Sequence, residues 1–309
     1  MPQWAGSSWY FLRYCDPHND HAFADMEELK YWMPVDWYNG GMEHVTRHLL
    51  YSRFWHRFLN DIGEVNTPEP YAKRTAKGMI LGTDGEKMSK SRGNVINPDD
   101  IIDEIVADAF RVYEMFMGAF DQAIPWSTNG AKGCRRFLDR VWRLQEIVIP
   151  GENYSEKLNA LMHETVKKVS EDYERMKYNT AIAAMMTLVN EMFAAGSVTA
   201  AELKTLLLLL NPVAPHITEE MWEAQQYGEP IHHQPWPTWD EAALVKSEVE
   251  IALQVNGKVR GRIMIPADMT REQAESELPA NEQVQKYLQG KQVVKVIFVP
   301  GRLLNIVAK

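Results

Sequence analysis

Gly78-Met79-Ile80-Leu81-Gly82-Thr83-Asp84-Gly85-Glu86-Lys87-Met88-Ser89-Lys90-Ser91-Arg92-Gly93 is the stretch that decides how the rest of the chain is read. The apolar run 78–81 has the length of a buried strand, and Gly82 to Gly85 reads as a turn. Lys87-Met88-Ser89-Lys90-Ser91 then lies in a glycine-flanked loop directly after that strand. Two lysines and two hydroxyls on a mobile loop could close over a triphosphate and stabilise charge developing on a leaving pyrophosphate. Taken alone, a lysine- and serine-rich loop is more often solvated surface.

Upstream, Asp36-Trp37-Tyr38-Asn39 ends a short aromatic strand and Gly40-Gly41 reads as a tight turn. A helix is predicted from about 43 to 59, with Leu49, Leu50, Phe54, Phe58 and Leu59 at helical spacing. Strand, glycine turn, helix, strand is the rhythm of a parallel sheet with crossover helices, assigned to residues 1–96. Asn97-Pro98-Asp99-Asp100 marks a helix start, its aspartates at the positive end of the helix dipole. Connecting helices fill 97–128. Further helices are predicted at about 130–148, 155–176, 179–195, 199–210 and 217–226, a bundle with short loops spanning 129–236. His232-His233-Gln234-Pro235-Trp236-Pro237 is too rich in proline for helix or central strand and reads as a linker. From 237 to 309 the period changes again. Two strands flank the hairpin turn Asn256-Gly257, helices follow near 270–278 and 281–288, and a strand spans 293–299, making a small α+β domain.

No run of 18 apolar residues occurs, which excludes a membrane-spanning helix. The first residues lack the basic-then-apolar layout of a signal peptide. Cys15 and Cys134 are the only cysteines, so a disulfide framework or cysteine-rich zinc site is not supported and a reducing cytoplasm fits. A net charge of −9 argues against gripping nucleic acid through overall positive charge, which leaves local patches to be weighed. Residues 248–309 hold nine Lys/Arg against seven Asp/Glu, a mild positive excess on an otherwise acidic chain. Lys132, Arg136, Arg140 and Arg143 form one stripe on a predicted helix, with Phe137, Val141 and Leu144 supplying the buried side. Such a stripe is either a solvated face or a track for phosphates. Lys258, Arg260 and Arg262 alternate along one strand, which would place all three on one face. His44 and His48, at i and i+4, could pair on a metal, but no third ligand stands at suitable spacing, and no protein-bound metal is expected.

The loop string, its place after a short strand and the following Gly-Asn-Val-Ile-Asn-Pro-Asp-Asp resemble the KMSKS loop of class I aminoacyl-tRNA synthetases. Trp4-Ala5-Gly6-Ser7-Ser8-Trp9-Tyr10 and Gly40-Gly41-Met42-Glu43-His44, with His48, resemble motifs of the bacterial leucyl family that follow its editing insertion. The resemblance continues through Asn179-Thr180-Ala181, Asn211-Pro212-Val213-Ala214-Pro215-His216, Gln254-Val255-Asn256-Gly257-Lys258-Val259-Arg260 and Pro300-Gly301, and so covers essentially the whole chain. It implies a multidomain α/β plus all-α protein: a partial Rossmann-like parallel sheet, a helix bundle of anticodon-binding type and a small α+β C-terminal domain. It also implies leucine–tRNA ligase chemistry with tRNA(Leu), leucine and ATP (with Mg²⁺) as partners, in the cytoplasm and away from membranes.

The same resemblance assigns roles. Trp4, Ser7 and Tyr10 would line a leucine pocket closed by His44 and His48. Glu43 would accept hydrogen bonds from the adenosine ribose. Gly40 and Gly41 would let backbone approach the nucleotide, and Met79 and Ile80 would offer backbone groups to adenine. Lys87 and Lys90 would act catalytically, with Met88, Ser89 and Ser91 completing the ATP loop. Lys132, Arg136, Arg140, Arg143, Lys258, Arg260 and Arg262 would contact tRNA.

The chain departs from the family in places. The HIGH signature and the editing insertion are absent, as is an inserted module between Tyr71 and Lys87. The expectation is a split subunit, a deliberately shortened protein or a truncated gene product, inactive without an N-terminal half that carries the rest of the catalytic and editing machinery. Without that half, residues 1–96 are expected to be poorly ordered or packed on another copy, because a partial sheet leaves an open edge and an apolar face. A non-catalytic tRNA-binding module is the alternative. Val106-Ala107-Asp108 stands where the family usually has Gly-Ala-Asp, which puts the turn there in question.

Overall fold

The computed structural model describes residues 3–244, 248–266, 269–288, 290–299 and 302–309, so Pro300-Gly301 lies outside the described residues. It divides into two compact units, Met1–Asn153 with Lys168–Pro237, and Tyr154–Lys167 with Thr238–Lys309.

The first unit begins with helices α1 (Tyr10–Tyr14) and α2 (Met26–Trp32), then strand β1 (Tyr38–Gly41), helix α3 (His48–Asp61) and strands β2 (Arg74–Lys77) and β3 (Ile80–Leu81). Asp25 caps α2 by accepting from Glu27 N at 2.8 Å. The parallel pairing is there, but in pieces: β1 runs beside β2, with Gly41 opposite Lys77. Strand β3 runs beside β4 (Ile124–Pro125). Gly40 and Gly41 are therefore the last residues of a strand and not a turn, because β2, which the sequence reading missed, supplies their partners.

Helix α3 starts five residues later than predicted, since 42–44 closes as a short 3-10 turn. Its buried face is His48, Leu49, Ser52 and His56, while Leu50, Phe54 and Phe58 are 60%, 59% and 47% exposed. The i, i+4, i+8 apolar stripe that looked like core is thus turned to solvent. An apolar row of this kind marks a surface made to be covered.

Helices α4 (Pro98–Ile105) and α5 (Ala107–Phe116) follow, with Asn97 accepting from Asp99 N as the cap of α4. Val106 joins them at φ +70°, ψ 155°, a conformation almost confined to glycine. The turn forms despite the β-branched side chain, held by Val106 N donating to Ile102 O at 2.9 Å. Such strain costs about 1–3 kcal/mol. Val106→Gly is expected to recover a gain of about that size in unfolding free energy, read as a higher urea midpoint; an unchanged or lower midpoint would refute the strain.

The bundle is close to its sequence prediction: α6 (Thr128–Arg143), α7 (Asn159–Glu174), α8 (Tyr178–Ala195), α9 (Ala200–Leu210) and α10 (Pro215–Ala224), with short strands β5 (Val148–Ile149) and β6 (Val198–Thr199) paired in parallel. Helix α6 buries Ala131, Cys134, Phe137, Leu138 and Val141 along one side. Helix α9 buries Leu203, Leu206, Leu207, Leu209 and Leu210, and Thr199 with Glu202 forms a reciprocal capping box at its start. The proline-rich stretch after α10 is not a free linker. Ile231 is buried, and Trp236 Nε1 donates to Ser170 Oγ at 2.7 Å.

In the second unit a four-stranded sheet has the order β8-β7-β10-β9, from β7 (Glu248–Val255), β8 (Lys258–Pro266), β9 (Val293–Val299) and β10 (Leu303–Ala308). Helices α11 (Arg271–Glu277) and α12 (Glu282–Leu288) contribute Ala274, Val284 and Leu288 to the core formed by Ile251, Leu253, Ile263, Phe298 and Leu304. Asn256 (φ 52°) and Gly257 (φ 73°) make the two-residue turn between β7 and β8, the left-handed pair that a type I′ hairpin requires. Strand β10, which the sequence reading missed, lies in the middle of the sheet, parallel to β7.

Candidate nucleotide and substrate site

The loop 82–94 is tied at its base rather than loose. Gly82 N donates to Glu86 O at 2.8 Å, and Lys87 bridges back to Leu81. Asn94, which the sequence reading passed over, is the clamp: its Oδ1 accepts from Ser89 N at 2.9 Å. Its Nδ2 donates to both Asp84 carboxylate oxygens and to Lys87 O. Ser89 Oγ and Ser91 Oγ are 2.8 Å apart, and Arg92 pairs with Glu86 at 3.0 Å. Lys87 and Lys90 are left exposed, their ammonium groups free of ion pairs among the described residues, which is the state a phosphate-binding pair needs.

Glu43 follows the end of β1. Its own backbone N–H holds its carboxyl below the usual range, with His44, Lys87 and Lys77 adding to the effect. Lys87 of the loop thus acts on the same carboxylate that the resemblance assigns to ribose. A side chain at Gly41 would meet that carboxylate, so glycine there lets Glu43 fold back over the strand end without its exposed side chain having to move aside. Gly41, Met42, Glu43, Lys77, Met79 and Ile80 share a cavity of about 960 Å³, with residues 114–124 as its other wall. Met79 O is already used, accepting from Ile124 N at 3.0 Å. By strand alternation, the backbone groups of Ile80 face the other edge, so Ile80 rather than Met79 can present both to a ligand.

The proposed leucine residues are brought together, with Ser7 at the margin. Trp4 meets His44 edge-on at 5.7 Å, and Tyr10 stacks on His48 at 5.5 Å. Ser7 is exposed and donates to Trp4 O at 3.4 Å. Two further walls escaped the sequence reading: Tyr38 stacks on the other side at 5.6 Å from His48, and Tyr71 Oη lies 3.3 Å from His48 Nε2. Burial, with His44 adding, depresses the His48 pKa, and burial raises that of Tyr71. Both groups are therefore neutral at pH 7, as the lining of an apolar side-chain pocket requires. His48 opens α3 while His44 lies in the preceding 3-10 turn, so the two do not share a helix face, and their rings are 6.4 Å apart. Among the described residues no group of three His, Cys, Asp or Glu is placed to hold a metal ion.

The cationic stripe on α6 is largely committed within the protein. Lys132 pairs with Glu104 at 2.8 Å, Arg140 donates to Asn190 Oδ1 at 2.5 Å, and Arg143 lies 4.0 Å from Glu146; Arg136 is exposed. On β8 a bulge corrects the one-face expectation. Leu253 pairs with Gly261 but Gln254 with Val259, so Arg260 is the extra residue. Lys258 then registers with core-facing Val255, and Arg262 with Ala252 on the opposite face. Arg262 is paired with Glu250 at 2.9 Å. All three cations are exposed, but they do not form one row.

A parallel-strand edge carrying a clamped Lys-Met-Ser-Lys-Ser loop beside a nucleotide-sized cavity, followed by a helix bundle, is an arrangement similar to that of class I aminoacyl-tRNA synthetases. Residues 15–127 match the family of tRNA synthetases class I (I, L, M and V), and residues 156–276 match the anticodon-binding domain of tRNA ligase. Within that class the chain is similar to leucyl-tRNA synthetases. It is 58% identical over all 309 residues to the leucine–tRNA ligase of Alkaliphilus oremlandii (strain OhILAs), covering 100% of this chain and 38% of that protein. It also superposes with a TM-score of 0.77 and 32% identity on the agnB2 LeuRS of Agrobacterium radiobacter K84, solved as a ternary complex with tRNA and LeuAMS. That match covers 98% of this chain and 42% of the other. The chain thus spans about two fifths of the length of the relatives it matches. No helix among its described residues is long and apolar enough to cross a membrane.

Proposed function

We propose that this chain supplies the KMSKS-loop side of the active site and the tRNA-binding portion of a leucine–tRNA ligase, working in the cytoplasm with an N-terminal half that brings the HIGH-bearing side. The observation that carries the reading is the clamped loop with Lys87 and Lys90 exposed, together with the 960 Å³ cavity lined by Gly41, Glu43, Met79 and Ile80. The exposed row Leu50, Phe54 and Phe58 supports a covering partner. The LeuRS relative held with tRNA and LeuAMS supports an adenylate and tRNA as ligands.

In the reaction a leucine carboxylate oxygen bonds to the α-phosphorus of ATP and the bond to pyrophosphate breaks. A terminal ribose hydroxyl of tRNA(Leu) then forms the ester, and AMP leaves. Trp4, Tyr10, His44 and His48, joined by Tyr38 and Tyr71, hold the leucine side chain. Glu43 orients the ribose, and Lys87 and Lys90 stabilise charge on the departing pyrophosphate; ATP enters with Mg²⁺ as substrate. Residues 1–96 serve the chemistry, 97–128 the stem contact, 129–236 the anticodon-binding-type bundle and 237–309 the tRNA-binding end. The test is leucine-dependent ATP–pyrophosphate exchange by the chain co-expressed with an N-terminal half.

A further inference from the structure

Beneath the amino-acid pocket, the hydroxyls packed on the buried face of α3 form a chain of hydrogen bonds with one consistent direction. Leu49 O can only accept, so the fully buried Ser52 Oγ, 3.1 Å away, donates its hydrogen there. Ser52 Oγ is then an acceptor for Tyr71 Oη at 2.9 Å, which commits the tyrosine's hydrogen. Tyr71 Oη also lies 3.3 Å from His48 Nε2 and has only lone pairs left for it. His48 Nε2 therefore carries the ring proton, and Nδ1 is bare.

The ring has little freedom to escape this assignment. It is 6% exposed and stacks on Tyr10 at 5.5 Å and on Tyr38 at 5.6 Å, which fixes its plane. Burial also keeps it uncharged. Nδ1 bonds to no described residue, yet it is not sealed in the core as His44 Nδ1 and His56 Nδ1 are. It is the polar atom that His48 leaves open to the pocket.

Two turns further along α3 the same device recurs. Thr67 Oγ1 donates to Glu69 O at 3.2 Å, so His56 Nε2, 3.0 Å from that hydroxyl, must donate to it. His56 is wholly buried and away from Ser52 and Tyr71 in this bonding, which makes it an internal reference.

We infer that Ser52 and Tyr71 are positioning residues for amino-acid selection. Their hydroxyls hold His48 as the Nε2–H tautomer, so that the pocket meets a bare nitrogen unable to donate to the lone pairs of a competing side chain such as the thioether of methionine. Leucine and methionine are close in volume, and shape alone separates such pairs weakly. An isobutyl group has no lone pair and loses nothing against a bare nitrogen, whereas an N–H at the same place would favour the thioether. The inference rests on the reading that this pocket takes leucine.

The test reads the tautomer and the selectivity separately. In the whole chain with isotope-labelled histidine nitrogens, His48 (assigned by the loss of its signals in His48→Gln) and His56 each show a protonated Nε2 and a bare Nδ1. Ser52→Ala removes the acceptor of Tyr71, whose hydrogen turns to His48 Nε2. The His48 signals change to the Nδ1–H pattern, while unchanged His56 signals show that the variant is folded. Tyr71→Phe leaves His48 a mixture of both forms. With an N-terminal half supplied, Ser52→Ala lowers the leucine-over-methionine ratio of kcat/KM in ATP–pyrophosphate exchange about threefold, through a lower KM for methionine at unchanged kcat for leucine. A Nδ1–H pattern in the unaltered chain, or unchanged His48 signals in Ser52→Ala, overturns the relay. A changed tautomer with an unchanged ratio overturns its part in selection and leaves the leucine reading standing. An unaltered pair whose exchange does not depend on leucine overturns that reading and the selection role with it.

Discussion

Lys90→Ala in the reconstituted enzyme is expected to slow leucine-dependent ATP–pyrophosphate exchange by about 10²–10³, or about 2.7–4 kcal/mol of transition-state stabilisation. The figure follows from the loop's construction. Asn94 and Asp84 hold its base by hydrogen bonds that do not involve Lys90, so removing the ammonium leaves the loop in place. Lys90 has no ion-pair partner among the described residues and opens the 3-10 turn that Gly93 closes at φ +66°. What the substitution removes is therefore charge aimed at a ligand and not a structural contact. Affinity for tRNA should stay nearly constant. An unchanged exchange rate would remove Lys90 from the chemistry, and a fall in tRNA affinity of equal size would make its role one of binding.

The largest stability effect outside the apolar core is expected at Asp108. Its side chain is only 5% exposed, and it accepts from Ile217 N at 2.6 Å, His216 N at 3.4 Å and His216 Nδ1 at 2.7 Å. One carboxylate on α5 thus caps the start of α10, more than a hundred residues further along the chain. Asp108→Ala leaves these donors without a partner, at a cost of about 1–3 kcal/mol for each one that stays buried. Asp108→Asn keeps one acceptor oxygen and should cost clearly less. Urea unfolding of both variants checks the ordering. Equal midpoints for alanine and asparagine would mean that the carboxylate oxygens are not what holds α10.

Much of the fold was legible because its signals are local. The bundle helices have apolar periodicity and recognisable starts, and α4 begins where Asn97-Pro98 says it should. The Asn256-Gly257 hairpin was readable because its turn type demands left-handed backbone at both positions. Apart from the late start of α3, which a local 3-10 turn causes, the misread elements depend on distant partners. Gly40 and Gly41 look like a turn until β2 pairs with them. Strand β10 is a short apolar run at the chain end, and only its parallel pairing with β7 makes it central. The bulge at Arg260 adds one residue that no alternation pattern reveals, and it moves Lys258 off the face of Arg262.

At the site, the loop and Trp4, Tyr10, His44 and His48 came from motif resemblance, and the fold gathers them. Tyr38, Tyr71 and Asn94 were missed because nothing in a tyrosine's or a loop asparagine's immediate neighbours says what it will touch. The outward stripe of α3 carries the opposite lesson. Leu50, Phe54 and Phe58 have core spacing, yet they stand 60%, 59% and 47% exposed.

The most direct test of the central claim is ATP–pyrophosphate exchange, with and without leucine, by this chain co-expressed with a leucyl-type N-terminal half. The account predicts leucine-dependent exchange from the pair and none from either part alone. A stable pair that binds tRNA but shows no exchange would contradict it and leave a tRNA-binding module in its place.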